Sequence, residues 1–211
     1  MRIGVKAQGK FETVREVLHA AGASPGASLL DVGCRECELR SYLPHGVHYV
    51  GLDLFQNAEG TVDHVLSVEQ CLPFPDQNFD FVVALDLVEH LDDLSGGLKE
   101  LARVTRRQLM VLLPNMAFVT FRLGFLLHGR FVGTDKYDLT YRMGPDRHRW
   151  LTVLPQTDDY MRDFARDNGL LLERTICQEG PKKELVAKFA RAVRLPESWW
   201  AWKVLYSLSR P

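Results

Sequence analysis

Apolar residues in this chain gather into short dense runs, and the runs alternate with stretches whose apolar positions recur every three or four residues. The runs are SLLDV (28–32), HYVGLDLF (48–55), FVVAL (81–85), QLMVLLP (108–114) and LLLERTIC (170–177), with a weaker one inside TVDHVL (61–66). A short, nearly continuous apolar run reads as a strand buried on both faces, the condition of a parallel sheet. Between the runs, Phe11, Val14, Val17 and Leu18 share one helix face, as do Leu91, Leu94, Leu98 and Leu101, and Met161, Phe164 and Ala165. Residues 184–193 predict one more helix. The stops are local: Ala21-Gly22 ends the first helix, and Ser24-Pro25-Gly26 turns the chain into the first long run. Thr157 is expected to cap a helix with Asp158 and Asp159 in its first turn and Asn168-Gly169 at its end. Gly96 and Gly97 weaken the helix they fall in. Strand-helix alternation of this kind predicts an α/β, Rossmann-like, doubly wound sheet, with a ligand at the carboxyl ends of the strands near the topological switch point. The final stretch, WKVLYSLSR (202–210), alternates and predicts a last, antiparallel strand.

The stretch 28–39, SLLDVGCRECEL, is where chemistry first enters. A buried strand ending in Asp31 runs through a tight turn at Gly33 into a charged, helix-compatible segment, the arrangement that cradles nucleotide-like cofactors. The second strand ends in Asp53, an acid placed to accept the hydroxyls of a ribose. The run resembles the first motif of class I S-adenosylmethionine-dependent methyltransferases, D-x-G-x-G-x-G, of which Gly33 is kept while Arg35 and Cys37 replace the other two glycines. The resemblance is strongest over 74–91, where LPFPDQNFD leads into a fourth strand and the pair Glu89-His90. It extends over most of 28–176 and implies a seven-stranded sheet in a single domain, 1–211, with an apolar acceptor-binding insertion at about 115–150.

The same resemblance implies S-adenosylmethionine as cofactor, held by Asp31, Gly33, Cys34, Arg35, Asp53, Leu54, Ser67, Val68, Leu85 and Asp86. Ser67 or Val68 stands where the family carries an acid that reads adenine, and Leu54, Cys71 and Leu72 are the expected apolar walls. His90 is the expected general base or acceptor-orienting group. The D-x-x-E-H spacing of Asp86, Glu89 and His90 also resembles the E-x-x-E-H run of magnesium-dependent O-methyltransferases, in which a distant histidine, here His148, completes the site; no metal is expected. The function implied is methyl transfer to a small-molecule, lipid or glycan acceptor, at oxygen. A non-catalytic cofactor-binding or partner-binding module is the alternative, since two motif glycines and the adenine-reading acid are absent. A nicotinamide-dependent dehydrogenase would need a G-x-G-x-x-G turn that is not present.

Composition narrows the setting. With 211 residues, 46% hydrophobic and 25% charged, the chain fits one globular domain, and a formal net charge of -1 supplies no field for nucleic acid. The basic residues that recur over 142–194 read as solvated helix faces. No run is long enough for a signal peptide or a membrane span, so a cytoplasmic protein is expected, with surface association left open. Trp199, Trp200 and Trp202 lie beside basic residues, but Pro196 and the alternation after Lys203 favour a loop and strand over a membrane-surface helix. Four cysteines fit a reducing compartment. Cys34 and Cys37 form a C-x-x-C spacing, yet Cys71 and Cys177 supply no second pair, so they are read as small residues of the cofactor loop. The crowded segment 115–133 is either the acceptor-binding insertion or a core-packed helix, and the following 136–153 reads as a loop lining a mouth.

Overall fold

The computed structural model describes residues 3–6, 9–131, 134, 136–137, 147–178 and 181–211. Eight strands form one sheet: β1 (Ile3–Lys6), β2 (Ser28–Val32), β3 (His48–Asp53), β4 (His64–Val65), β5 (Phe79–Leu85), β6 (Thr105–Pro114), β7 (Leu171–Cys177) and β8 (Lys203–Ser209). Their order is β1-β7-β8-β6-β5-β2-β3-β4. Every pairing is parallel except those of β8 with β6 and β7. The seven expected strands are all present, with the antiparallel strand last. The eighth, β1, had no apolar signal and joins the sheet edge by pairing with β7.

Period-two alternation sorts the strand residues onto two apolar layers. On one face Leu30, Val82, Ala84, Leu109 and Val111 pack beneath α2 (Leu94–Val104), α4 (Gln156–Asp167) and α5 (Pro181–Ala192). On the other, Leu29, Phe81, Val83, Met110 and Leu112 meet Val14 and Leu18 of α1 (Lys10–Ala20). The sheet centre is therefore covered on both sides, which is why 81–85 of β5 and 109–113 of β6 are uniformly apolar.

Three local expectations change. The segment after Gly33 closes into a short 3-10 turn, Glu38–Tyr42, in place of a helix. Thr157 falls in the first turn of α4, after Pro155, and its hydroxyl donates to the Val153 carbonyl instead of capping. Gly96 does more than weaken α2: Asp93 caps that helix by accepting from the Gly96 N–H at 2.8 Å, and a Cβ at Gly96 would collide with the capping carboxylate. The LPFPD turn is fixed by Arg103, which donates to the Phe74 carbonyl and to Asp76, both at 2.8 Å.

The segment after β6 contains a helix packed on the core by its inner side. Helix α3 (Val119–His128) buries Phe121 and Gly124 against an aromatic cluster of Met116, Phe118 and Trp202, while Leu123, Phe125, Leu126 and Leu127 face outward. Part of the mouth loop, residues 138–146, lies outside the described residues. Among the described residues no helix is long and apolar enough to cross a membrane.

Candidate functional site

Two adjoining cavities open at the carboxyl ends of β2, β3, β5 and β6, of about 480 and 520 Å³, and share Gly33, Arg35, Glu36 and Asp86. The loop after β2 sets their common wall. Gly33 takes a φ of 76°, and its N–H and that of Cys34 both bond to the Leu52 carbonyl, tying β2 to β3. Arg35 and Cys37, the two residues that replace motif glycines, adopt left-handed φ values of 48° and 56°. A non-glycine residue pays about 1–2 kcal/mol there, and the loop is braced accordingly. The Arg35 N–H donates to Asp53 at 2.9 Å, its carbonyl accepts from Asn57, and the Cys37 N–H donates to the Cys34 carbonyl. The Cys37 side chain turns away from both cavities into a buried cluster with Cys34, Val62 and Tyr49. Burial raises the Cys34 thiol above its ordinary range, so it stays protonated and is a poor zinc or redox ligand.

The larger cavity is lined by Asp53, Leu54, Ser67, Val68, Leu87, His90 and Arg149. Asp53 also accepts from the Phe55 N–H, at 3.3 Å. Of the expected apolar walls only Leu54 takes part. Cys71 is exposed elsewhere and Leu72 is buried in the core, because the chain after Glu69 leaves the cavity to reach the LPFPD turn.

The second cavity receives Asp31, Cys34, Leu85, Glu89 and His148, with Met116, Phe121 and Trp202 as an apolar side. Burial lifts Asp31 to about 7 in spite of the Tyr49 hydroxyl, which donates to it at 2.8 Å. Asp86 is half-buried, but Lys203 at 2.9 Å and Lys10 at 3.1 Å outweigh the loss of solvent and hold it below the usual carboxylate range. Burial next to the Asp86 charge raises Glu89 to about 8, and its Oε2 has no hydrogen-bond partner. Burial, with His90 and Lys136 nearby, drives His148 down to about 3, so its imidazole is neutral at neutral pH. The two histidine rings meet edge to face at 4.6 Å. His90 Nδ1 lies 3.2 Å from the Arg147 carbonyl, and His148 Nδ1 lies 2.9 Å from the Tyr137 hydroxyl. The strap carrying His148 is clamped over the end of β5, with the Arg149 N–H on the Glu89 carbonyl and Trp150 Nε1 on that of Leu91.

Ten cofactor residues named from the sequence thus divide between the two cavities, with His90 on the larger one and Glu89 and His148 on the other. Lys10 and Lys203 carry no sequence signal for the site, since the start of α1 and the entry of β8 bring them there, while Arg149 comes from the loop expected to line a mouth. Glu89, His90 and His148 present ligand atoms within 4.8 Å of one another, the one such group among the described residues. One oxygen and two nitrogens make a set suited to a transition ion and poor for magnesium, which prefers an oxygen shell.

Residues 30–112 match the family model of the methyltransferase domain. Over 105 residues the chain is 30% identical to a sterol 24-C-methyltransferase of Gibberella zeae, a match covering 42% of this chain and 27% of that one. It is 29% identical over 107 residues to an O-methyltransferase of Aspergillus sclerotiorum, covering 44% and 40%. The chain thus spans between about a quarter and two-fifths of these curated relatives. In fold it is similar to magnesium protoporphyrin IX methyltransferase of Synechocystis, solved with bound SAH, with a TM-score of 0.59, 16% identity, and 95% of this chain and 82% of that one covered.

Proposed function

Taking as premise that the chain carries a methyltransferase domain of the class I, S-adenosylmethionine-dependent kind, we propose that it moves the methyl group of S-adenosylmethionine to an oxygen of a small-molecule or lipid-like acceptor. The observation that carries this reading is the pair of cavities meeting at Gly33, Arg35 and Asp86: one has a ribose-type acid, Asp53, and the other an apolar wall beside a neutral imidazole. The donor occupies the first, with Asp53 accepting from the ribose and Leu54, Ser67 and Val68 around the adenine. The acceptor occupies the second, between Glu89, His148 and the Phe121–Trp202 side.

Bound there, S-adenosylmethionine would supply a sulfonium-activated methyl carbon and would leave as S-adenosylhomocysteine with the carbon–sulfur electron pair. His90 would take the proton of the acceptor hydroxyl, and His148, kept neutral by burial, would orient the acceptor. Alignment of donor and acceptor supplies most of the rate, and proton removal adds a further factor of about 100 to 10,000. A divalent ion held by Glu89, His90 and His148 is a second reading, favoured by their proximity; it would polarise the acceptor oxygen. The reading includes a single domain with 115–150 as the acceptor insertion, and a cytoplasmic setting consistent with four free thiols.

Mass analysis of ligand co-purified with the protein, followed by label transfer from methyl-labelled S-adenosylmethionine to apolar extracts, tests the proposal. Bound S-adenosylhomocysteine and labelled product are expected. Cofactor binding without transfer to any extract would support the binding-module alternative, and no cofactor binding would refute both. Chelator treatment that abolishes transfer, with recovery on metal addition, would select the metal reading.

A further inference from the structure

We propose that α3 and α5 together form a surface that docks on an anionic lipid bilayer, beside the mouth of the acceptor cavity. In α3, Leu123, Leu126 and Leu127 recur at helical spacing on one face, and Leu126 and Leu127 are 79% and 73% exposed. In α5 and the turn that ends it, Leu185, Phe189 and Val193 recur every fourth residue and are likewise exposed, Phe189 by 66%. Soluble surfaces scatter such side chains singly, so two adjacent helices showing outward apolar stripes call for an occupant. Adjacency follows from their inner faces: Phe121 of α3 and Val186 of α5 pack into the same aromatic cluster, against Trp202.

Charge decides which occupant. Residues 181–195 contain Lys182, Lys183, Lys188, Arg191 and Arg194 against one acid, Glu184, and residues 116–131 contain Arg122 and Arg130 and no acid. The chain as a whole is slightly acidic, so this excess of positive charge is local. Lys182 shares the Phe189 face of α5 and Lys188 borders it. Apolar stripes bordered by basic side chains are the chemistry of helices that lie in a membrane interface, where apolar burial and attraction to anionic headgroups add. A like-charged second copy of the chain would be repelled at this surface. Met116, Phe121 and Trp202 line the cavity from beneath these helices, so docking would put the cavity against the lipid in which an apolar acceptor dissolves. Bilayer binding stands apart from the proposed reaction and is tested without it.

Flotation of the purified protein with phosphatidylcholine vesicles, and with vesicles containing about one-third phosphatidylserine, reads the binding directly. Binding to the anionic vesicles, weakened by salt, is expected. The variants Leu126→Glu/Leu127→Glu and Phe189→Glu should lower it at least about tenfold, and Lys182→Gln/Lys188→Gln should lower it on anionic vesicles while keeping the apolar stripe. All these side chains are exposed, so circular dichroism and S-adenosylmethionine affinity should not change. Equal binding to both vesicle types, no binding at all, or variants that bind like wild type would overturn the proposal. A dimer or a protein complex dissolved by Leu126→Glu/Leu127→Glu, with no vesicle binding, would overturn it in favour of a protein occupant.

Discussion

Replacing Glu89 by glutamine should remove much of the pH dependence of this protein's stability. Glu89 is 1% exposed, one of its oxygens has no partner, and its carboxyl is raised from 4.5 to about 8. Burial is the main cause and the neighbouring Asp86 charge adds to it, outweighing the help of Lys203 and Lys136. Because the folded-state value lies above the unfolded one, the folded protein binds the extra proton between about 4.5 and 8. Its stability is therefore highest below that window, falls as pH rises through it and levels off above. At about 1.4 kcal/mol per pH unit the loss is on the order of 5 kcal/mol, an upper bound once local relaxation is allowed. Asp31, raised to about 7, contributes a second decline of the same sign over a lower window. Glutamine has the same shape and no titrating proton, so Glu89→Gln should keep the Asp31 decline together with the opposing rise that His148, lowered from 6.5 to about 3, contributes up to about pH 6.5. The new amide needs partners and costs about 1–3 kcal/mol, but equally at every pH. Urea denaturation of the cofactor-free protein between pH 5 and 9 measures both curves. Parallel curves for wild type and variant would show that Glu89 is ionised throughout and that its environment is more polar than the geometry implies.

Asp53→Ala should weaken S-adenosylmethionine binding by about 1–3 kcal/mol, from lost ribose contacts and from release of the Arg35 N–H that braces the loop; calorimetry reads this, and unchanged affinity would remove Asp53 from the site. Cys37→Gly should leave cofactor affinity unchanged, since the thiol faces Cys34 and Tyr49 and not the cavities. Relief of about 1–2 kcal/mol of left-handed strain then offsets part of the lost burial, and a thermal melt with calorimetry separates the two effects. His90→Ala and His148→Ala should each lower turnover by about 100-fold or more with cofactor affinity little changed, once an acceptor is in hand. Full turnover in the His90→Ala variant would exclude His90 as the base, and full turnover in His148→Ala would exclude an orienting role for His148.

Apolar run length and helical spacing, which are properties of neighbouring residues, were enough to place β2, β3, β5, β6, β7 and β8, the helices between them, the Gly33 turn and the acid ending β3. They work because burial on both faces of a parallel strand forces uniform apolarity, and because a turn at positive φ selects glycine. Resemblance to a known motif added His148 as a partner for Glu89 and His90. The sequence alone did not reveal that Asp86 is held by Lys10 and Lys203, 76 and 117 residues away. Those lysines arrive because α1 starts, and β8 enters the sheet, beside the end of β5, and strand order is a long-range choice that no local pattern records. β1 is invisible for a related reason: an edge strand is defined by the ladder it joins, and four residues need no apolar signature to pair with β7. The direction of the Cys37 side chain was equally hidden. The loop backbone sets the direction of a left-handed residue's Cβ, and here it faces Gly51, where a side chain would have touched both Cys34 and Cys37.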